Sequence, residues 1–517
     1  MTVYLACVDL GTTYIKASLY DAAGFCAASD SMKTVAEYSR PGMYSQDADS
    51  FVAGTLQLLG RVLESSGKHA GDIAAIAFTG QMAGAVGVDR DWQAVTPWTN
   101  TLDTRHMPYG TRMLASHGDE ILRLCGTNSP FMAPKMKWIE AEYPNDYGRA
   151  RKFMILTSYV MGKISDTPVD EASMDRTYLT WTGVADIKNG VWSDQLCGDL
   201  GIDKDRLPRI VESTRVVGKL SAGSARICGL LPGTPIVAGA GDKPAGCIGA
   251  GIVTPGMMID ESSTVAALSV CVDRYASDLR YRSLEIIPSP IEGQYYGLFY
   301  IAGSGLTMEW FTDTFAQEEK AEGLRSGRSV YEVLEEKARK VPPGSDGLVS
   351  IGMLGGRALP SDPDIKGLWL GHAWSHKKEH FYRSLLEGFA YEYGYCVKVI
   401  RETFPEIGLS DIRSIGGGAR SGLWNSIKAD VTGLRYTSLD HSDFSLLGTS
   451  IIAGSAVGVH GDIRETALRF THETDETEPD PRRHDHYKRY VEIYESIFTK
   501  VRGIYSELSR IPPHGRS

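Results

Sequence analysis

The chain has 517 residues, 42% of them hydrophobic and 23% charged, which is ordinary globular usage but too long for one core, so two large domains around a cleft are expected. The formal net charge of −10 gives no basic footprint for nucleic acid, and eight scattered cysteines without a CxxC pair argue against a disulfide framework or a zinc site and fit a reducing compartment. The N-terminus lacks a basic region ahead of an apolar core, and no apolar run approaches the length of a membrane span, so neither a signal peptide nor a membrane helix is expected and a cytoplasmic location follows by default.

In chain order, Val3 to Asp9 read as an apolar strand broken by Gly11-Thr12-Thr13. Tyr14 to Tyr20 read as a second strand, and Asp21-Ala22-Ala23-Gly24 is a turn before a third. Val52, Leu56, Leu59 and Leu63 recur at helical spacing after two capping candidates, Asp47 and Asp49. Ile73 to Phe78 form a short apolar run ending in Thr79-Gly80-Gln81-Met82, and strand, helix, strand indicates an α/β layered domain. Residues 106 to 230 read as helical or irregular. Thr234 to Ala240 return to a strand, followed by Gly239-Ala240-Gly241-Asp242 and a small-residue run, Ala245 to Gly251, suited to a closely packed helix. From Pro255 the opening pattern is echoed: an apolar stretch at Met257 to Ile259, the polar turn Asp260-Glu261-Ser262-Ser263-Thr264, and a second apolar stretch to Val270. The echo suggests two related halves. Phe381, Leu385, Phe389, Tyr393 and Cys396 make a core-facing helical stripe. Ile412 to Ile415 is a short strand before three glycines, and Leu446 to Val457 is another helix built for close approach.

Three strand ends carry candidate chemistry. At Asp9-Leu10-Gly11-Thr12-Thr13 a carboxylate can hold magnesium, and glycine and threonine offer close approach and donors for phosphate. A capped turn is the competing reading. In Gly239-Ala240-Gly241-Asp242-Lys243 the aspartate either accepts the proton of a substrate hydroxyl or caps the following helix. Gly416-Gly417-Gly418 leaves room for a flat ring or phosphates, or is a flexible loop. No Walker A loop, dinucleotide fingerprint or GxSxG elbow is present.

The order of these motifs is more specific than any one of them. VDLGTTYIKASLYDAAG, TGQMAG, GAGDKPAGCIGAGIVTPG, RSLLEGFAYE, IGGGARSGLWNSIKADVTG and LLGTSIIAGSAVG together resemble the FGGY carbohydrate kinases up to about residue 460, and among these the xylulokinases most. The resemblance implies an α/β fold of two actin-like, ribonuclease H-like ATPase domains, each with a central mixed β-sheet, around an interdomain cleft. Residues 1–252 would bind sugar and carry the catalytic base, and residues 253–517 would bind nucleotide. It implies ATP with Mg2+, and phosphorylation of a sugar hydroxyl, a ketopentose such as D-xylulose first. Asp242 matches the general base and, with Asp9, the magnesium carboxylates. Thr12 and Thr13 match a phosphate loop, Ser263 a second phosphate segment, and Gly303, Thr307, Gly417 and Gly418 the nucleotide site. Gln81, Met82, Asp103 and Arg105 match the sugar pocket. The expected partners are a small sugar and ATP, with no nucleic acid and no membrane. A homodimer is compatible with the resemblance, but the sequence shows no interface signature.

Four positions depart from that pattern. Ala83 stands where xylulokinases usually carry histidine, removing a polar contact to the sugar. Ser262-Ser263-Thr264 replaces a usual GTS. Lys243 replaces the usual amide, and either acts on Asp242 or a sugar oxygen or points to solvent. Thr101 replaces a tryptophan, with Trp98 upstream. These departures keep two alternatives open: a kinase for another polyol or ketose, and a kinase-like sensor that binds without transferring phosphate. Retention of both Asp9 and Asp242 argues for the enzyme.

Overall fold

The computed structural model of the chain describes residues 3–263, 265–440 and 443–511. The opening apolar runs form an antiparallel meander of β1 (Tyr4–Leu10), β2 (Tyr14–Asp21) and β3 (Cys26–Lys33). Helix α1 (Ala48–Ser66) then leads to β4 (Ile73–Gly80), which pairs parallel with β1. Asp47 caps α1 by accepting from the amides of Asp49 and Ser50. Asp49 lies in the first turn, where the helix dipole favours an acid. β5 (Val216–Lys219) and β6 (Pro235–Val237) complete a six-stranded mixed sheet in the order β5-β6-β4-β1-β2-β3. β6 is shorter than its apolar run because Gly239 turns the chain at φ 69°. A Cβ there would lie 1.8 Å from the Phe78 carbonyl oxygen, so only glycine fits. Helix α2 (Asp242–Gly249) follows.

The second sheet repeats this scheme. β7 (Met258–Glu261) pairs antiparallel with β8 (Ala266–Val272), which in turn pairs with β10 (Tyr295–Ile301), and β9 (Glu285–Pro288) closes that side. After helices α3 (Ser304–Phe315) and α4 (Lys378–Thr403), β11 (Asp411–Ile415) pairs parallel with β7. Helix α5 (Gly422–Thr432), β12 (Arg435–Leu439), α6 (Phe444–Ala456) and β13 (Glu473–Thr477) complete the order β9-β10-β8-β7-β11-β12-β13. In each half the leading strand pairs antiparallel with the next strand and parallel with one that follows a helix. The echo in the sequence is thus a repeated topology.

β1 is apolar on both faces because both are covered. Val8 and Leu10 share a core with Phe51, Leu58 and Leu59 of α1. Leu5 and Cys7 face the other way, into a core with Leu446, Leu447 and Ile451 of α6. The two small-residue runs meet each other: a Cβ on Gly448 of α6 would lie 1.8 Å from the Ala245 carbonyl of α2. Lys16 Nζ donates to Asp443 Oδ2 at 2.8 Å, and Ser445 Oγ to the Asp242 carbonyl at 3.2 Å. Helix α6 therefore packs on the first sheet, although a division at residue 252 assigns it to the second half. Seven of the eight cysteines are buried and Cys26 is exposed. Among the described residues no helix is long and apolar enough to cross a membrane.

Candidate active site

A cavity of about 370 Å³ opens between the two halves. Thr12, Gln81, Met82, Ala83, Asn100, Thr101, Asp242 and Lys243 line it from the first half, with Ser129, Phe131 and Trp181 from the insertion between β4 and β5. Glu285, Tyr300, Ala358 and Leu359 line it from the second half.

Asp9 is the penultimate residue of β1, and its Oδ1 is buried without a hydrogen-bond partner among the described residues. Burial, then Asp242 and Asp443, push its carboxyl up to about 7, with Lys16 opposing. Asp242 does not cap α2. The N-cap is Gly241, and Asp242 is the first helical residue, its Oδ1 accepting from the Lys243 amide at 2.7 Å. Burial pushes Asp242 up to about 6; Lys243 pulls it down and Glu261 pushes it up. Two carboxylates, one with an orphaned buried oxygen, form a donor set suited to a hard divalent cation.

The sugar-pocket candidates divide. Met82 and Gln81 line the cavity, but the Gln81 side chain is fully engaged within the protein. Its Oε1 accepts from Trp98 Nε1 at 3.2 Å and Asn100 Nδ2 at 2.6 Å, and its Nε2 donates to the Gly11 carbonyl at 3.2 Å and Gln46 Oε1 at 3.4 Å. It couples the Gly11 turn to the pocket wall. Trp98 is thereby a buried brace for Gln81, while Thr101 faces the cavity. Asp103 and Arg105 are not among the lining residues. They pair with each other, Arg105 donating through Nε at 3.0 Å and its terminal nitrogen at 2.6 Å, and Arg105 stacks over Trp138. Behind them Lys135 donates to the Asp103 carbonyl at 3.3 Å, and burial holds Lys135 down to about 7 and His106 down to about 4.

The nucleotide candidates gather around the turn after β7. Ser262 is buried; its amide donates to the Ile415 carbonyl at 3.0 Å and its carbonyl accepts from the Gly418 amide at 2.9 Å. A Cβ on Gly416 would lie 2.7 Å from that carbonyl oxygen, and one on Gly418 would lie 2.5 Å from the Ser262 Cβ. Two of the three glycines thus make room for Ser262, and Gly417 alone faces open space. The Ser262 hydroxyl is turned inward to Asp260 Oδ1 at 2.8 Å, beneath a wholly buried Lys428–Asp260 ion pair. Ser263 is exposed; its hydroxyl donates to the Val265 carbonyl at 2.8 Å and its own carbonyl accepts from Ser304 Oγ at 3.4 Å. Thr264, the last residue of that segment, lies outside the described residues. Gly303, at φ 76°, is the N-cap of α3 and leaves that helix end without a side-chain cap, so its amides are available to an anion. Thr307 is buried and donates to the Gly352 carbonyl at 2.7 Å, so it braces α3 from within.

Lys243 points neither to solvent nor freely into the cavity. Its ammonium pairs with Glu261 across the two halves, and both side chains are about a quarter exposed or less, at 25% and 21%. Sequence reasoning missed Glu261, Trp181, Tyr300 and Glu285, which lie far apart in the chain. The available signal for Glu285 was a carboxylate interrupting the apolar run Leu284 to Pro288.

Residues 4–249 match the N-terminal domain, and residues 277–457 the C-terminal domain, of the FGGY family of carbohydrate kinases. The chain belongs to this family. It is 27% identical to a xylulose kinase of Bacillus subtilis, over 98% of each chain. It is 26% identical to an autoinducer-2 kinase of Enterobacter sp., over 98% of this chain and 94% of that one. Among solved structures it superposes on a gluconate kinase from Lactobacillus acidophilus with a TM-score of 0.88, at 21% identity, covering 98% of this chain and 100% of that one. The fold is the two-domain actin-like ATPase architecture of these kinases.

Proposed function

We propose that this carbohydrate kinase transfers the γ-phosphoryl group of ATP to a hydroxyl of a small uncharged sugar, a ketopentose such as D-xylulose being the first candidate. The observation that carries the reading is the Asp242 carboxylate at the wall of a 370 Å³ cavity, bonded among the described residues only by the Lys243 amide, with a proton affinity pushed up to about 6. A carboxylate so tuned is mostly ionised at neutral pH and accepts a proton more readily than an ordinary aspartate. Asp242 takes the proton as the sugar oxygen attacks phosphorus, the bond from phosphorus to the bridging oxygen of ADP breaks, and ADP carries off the negative charge.

Asp9, with Asp242, would hold magnesium, which when bound supplies charge neutralisation for the phosphates. Thr12 and Thr13 would face the phosphates from the first half, with Ser263 and the α3 amides after Gly303 from the second. Gly417 and Gly418 would admit the base and ribose, and Thr307 would act by bracing α3. This division puts the sugar on residues 1–252 and the nucleotide on residues 253–517, with α6 keyed onto the first sheet. Gln81 and Met82 shape the sugar cavity, Gln81 by orientation, and Asp103 and Arg105 support its wall. The relatives include kinases named for xylulose and autoinducer-2, and Ala83 leaves this cavity one polar contact poorer than the xylulokinase pattern, so D-xylulose is tested beside other sugars.

The test is ADP formation with D-xylulose, D-ribulose, xylitol, erythritol and glycerol, each at saturating ATP and magnesium. ADP formation that depends on one of these sugars supports the reading. ADP release independent of sugar would mark a plain ATPase, and nucleotide binding without turnover of any sugar would mark a sensor.

A further inference from the structure

We propose that Glu285, contributed by the second half of the chain, reads a hydroxyl of the sugar and sets the site's preference for uncharged polyhydroxy compounds over sugar acids. This rests on the sugar-kinase reading of the cavity. Glu285 is 1% exposed yet lines the cavity. Thr127 Oγ1 donates to one of its carboxylate oxygens and Trp181 Nε1 to the other at 2.9 Å. Burial pushes its carboxyl up to about 7, and what opposes burial is neutral: Thr127, Trp181 and the Asn128 amide. In its ionised form the carboxylate has about four acceptor positions, of which the three donors fill three, which leaves one for a ligand.

The side chain is also held in place. The Ile286 amide donates to the Gly126 carbonyl at 2.9 Å, and Thr180 Oγ1 to the Ile286 carbonyl at 2.9 Å. β9 is thereby pinned to the insertion of the first half, and Trp181, itself a cavity wall, is fixed by its bond to Glu285. A rigid acceptor in a buried wall discriminates for a hydroxyl, because a ligand lacking one leaves the remaining acceptor position empty.

Charge gives the selection its second component. Burial first, and then Glu285, Asp242 and Glu261, push the pKa of the Tyr300 hydroxyl up. Glu285 and Asp242 both line the cavity, and the ammonium there, that of Lys243, is already paired with Glu261. An aldonate brought into this field meets like charge, whereas a neutral polyol or ketose only donates.

The test compares wild type, Glu285→Gln and Glu285→Ala by calorimetric binding of D-xylulose, xylitol and D-gluconate, with ADP formation and KM for ATP measured in parallel. Glutamine still accepts from Trp181 and meets Thr127, so it keeps the wall and removes the charge. Wild type should bind a neutral probe and reject gluconate. Both variants should weaken the neutral probe by about 10- to 100-fold, the range for a hydrogen bond to a charged group. Glu285→Gln should also narrow the gap to gluconate, with KM for ATP within about twofold of wild type. A purely structural Glu285 would lower thermal stability and leave the neutral-to-gluconate ratio unchanged. That unchanged ratio overturns the proposal, as does wild type binding gluconate best or binding neither neutral probe. Glu285-dependent sugar binding without ADP formation would instead sink the kinase reading and leave Glu285 as assigned.

Discussion

Replacing Lys428 by methionine removes one partner of an ion pair whose side chains are both 0% exposed. The Lys428 ammonium bonds Asp260 Oδ2 and Ser262 Oγ, the latter at 3.1 Å, and lies 4.6 Å from the Trp424 ring and 5.0 Å from that of Tyr436. Methionine is of similar length but leaves the Asp260 carboxylate buried with Tyr393, at 2.5 Å, and Ser262 as its remaining side-chain donors among the described residues. Stranding a buried charge costs about 3–5 kcal/mol. The double variant Lys428→Met/Asp260→Asn removes both charges and should recover most of that loss, because a neutral replacement of a buried pair is often nearly neutral in stability. The effect reaches function through Ser262, whose carbonyl holds the Gly418 amide. The single variant should raise KM for ATP several-fold while leaving KM for the sugar within about twofold, as expected when only one half-site is displaced. Urea unfolding gives the stability change and initial rates give the two KM values. A loss under about 1 kcal/mol, typical of a surface ion pair, would refute the reasoning. So would a double variant as unstable as the single one, or equal shifts in both KM values.

Asp242 must be ionised to accept a proton, and its carboxyl sits at about 6; kcat/KM should therefore fall about tenfold per pH unit below that point. Lys243→Gln removes the cation that lowers this value and leaves Glu261, which raises it, unneutralised. Both changes move the acidic limb upward, so the defect should be largest near pH 6 and fade toward pH 8. A limb that stays put or moves down, in a rate profile from pH 5 to 9, would separate Lys243 from the base. Gly418→Ala brings a Cβ to 2.5 Å from the Ser262 Cβ and 2.7 Å from the Trp424 ring. Overpacking of this kind costs about 1–3 kcal/mol. KM for ATP should rise, and Ser262→Gly in the same chain should restore part of it; wild-type KM in the single variant would contradict the packing argument.

Local chemistry was legible in the sequence, and long-range juxtaposition was not. The meander, the Asp47-capped helix and the repeated strand–turn–strand follow from apolar spacing and turn residues within a few positions of each other. The order of short motifs pointed to Asp9, Asp242 and the glycine loop. By contrast, Lys428 and Asp260 are 168 residues apart, and nothing local to either residue points to the other. Gly416 and Gly418 suggested room for a ligand; their first duty is to clear Ser262, a contact visible only once β7 and β11 are paired. Lys243 left two readings open because its partner, Glu261, lies on the opposite half. Glu285 could be noticed as a charge in an apolar strand, but its role depends on Thr127 and Trp181, brought to it by the insertion. Asp103 and Arg105 matched pocket residues by motif, and the fold turns them toward each other behind the wall.

The most direct measurement is single-turnover transfer of labelled γ-phosphate from ATP to the best sugar substrate by Asp242→Asn. An asparagine cannot take the hydroxyl proton, so transfer should drop by about 10²–10⁴-fold, the range for loss of a general base, while ATP affinity stays within a few-fold. Transfer near the wild-type rate would show that another group removes the proton and that the cavity wall at Asp242 is not where the reaction starts.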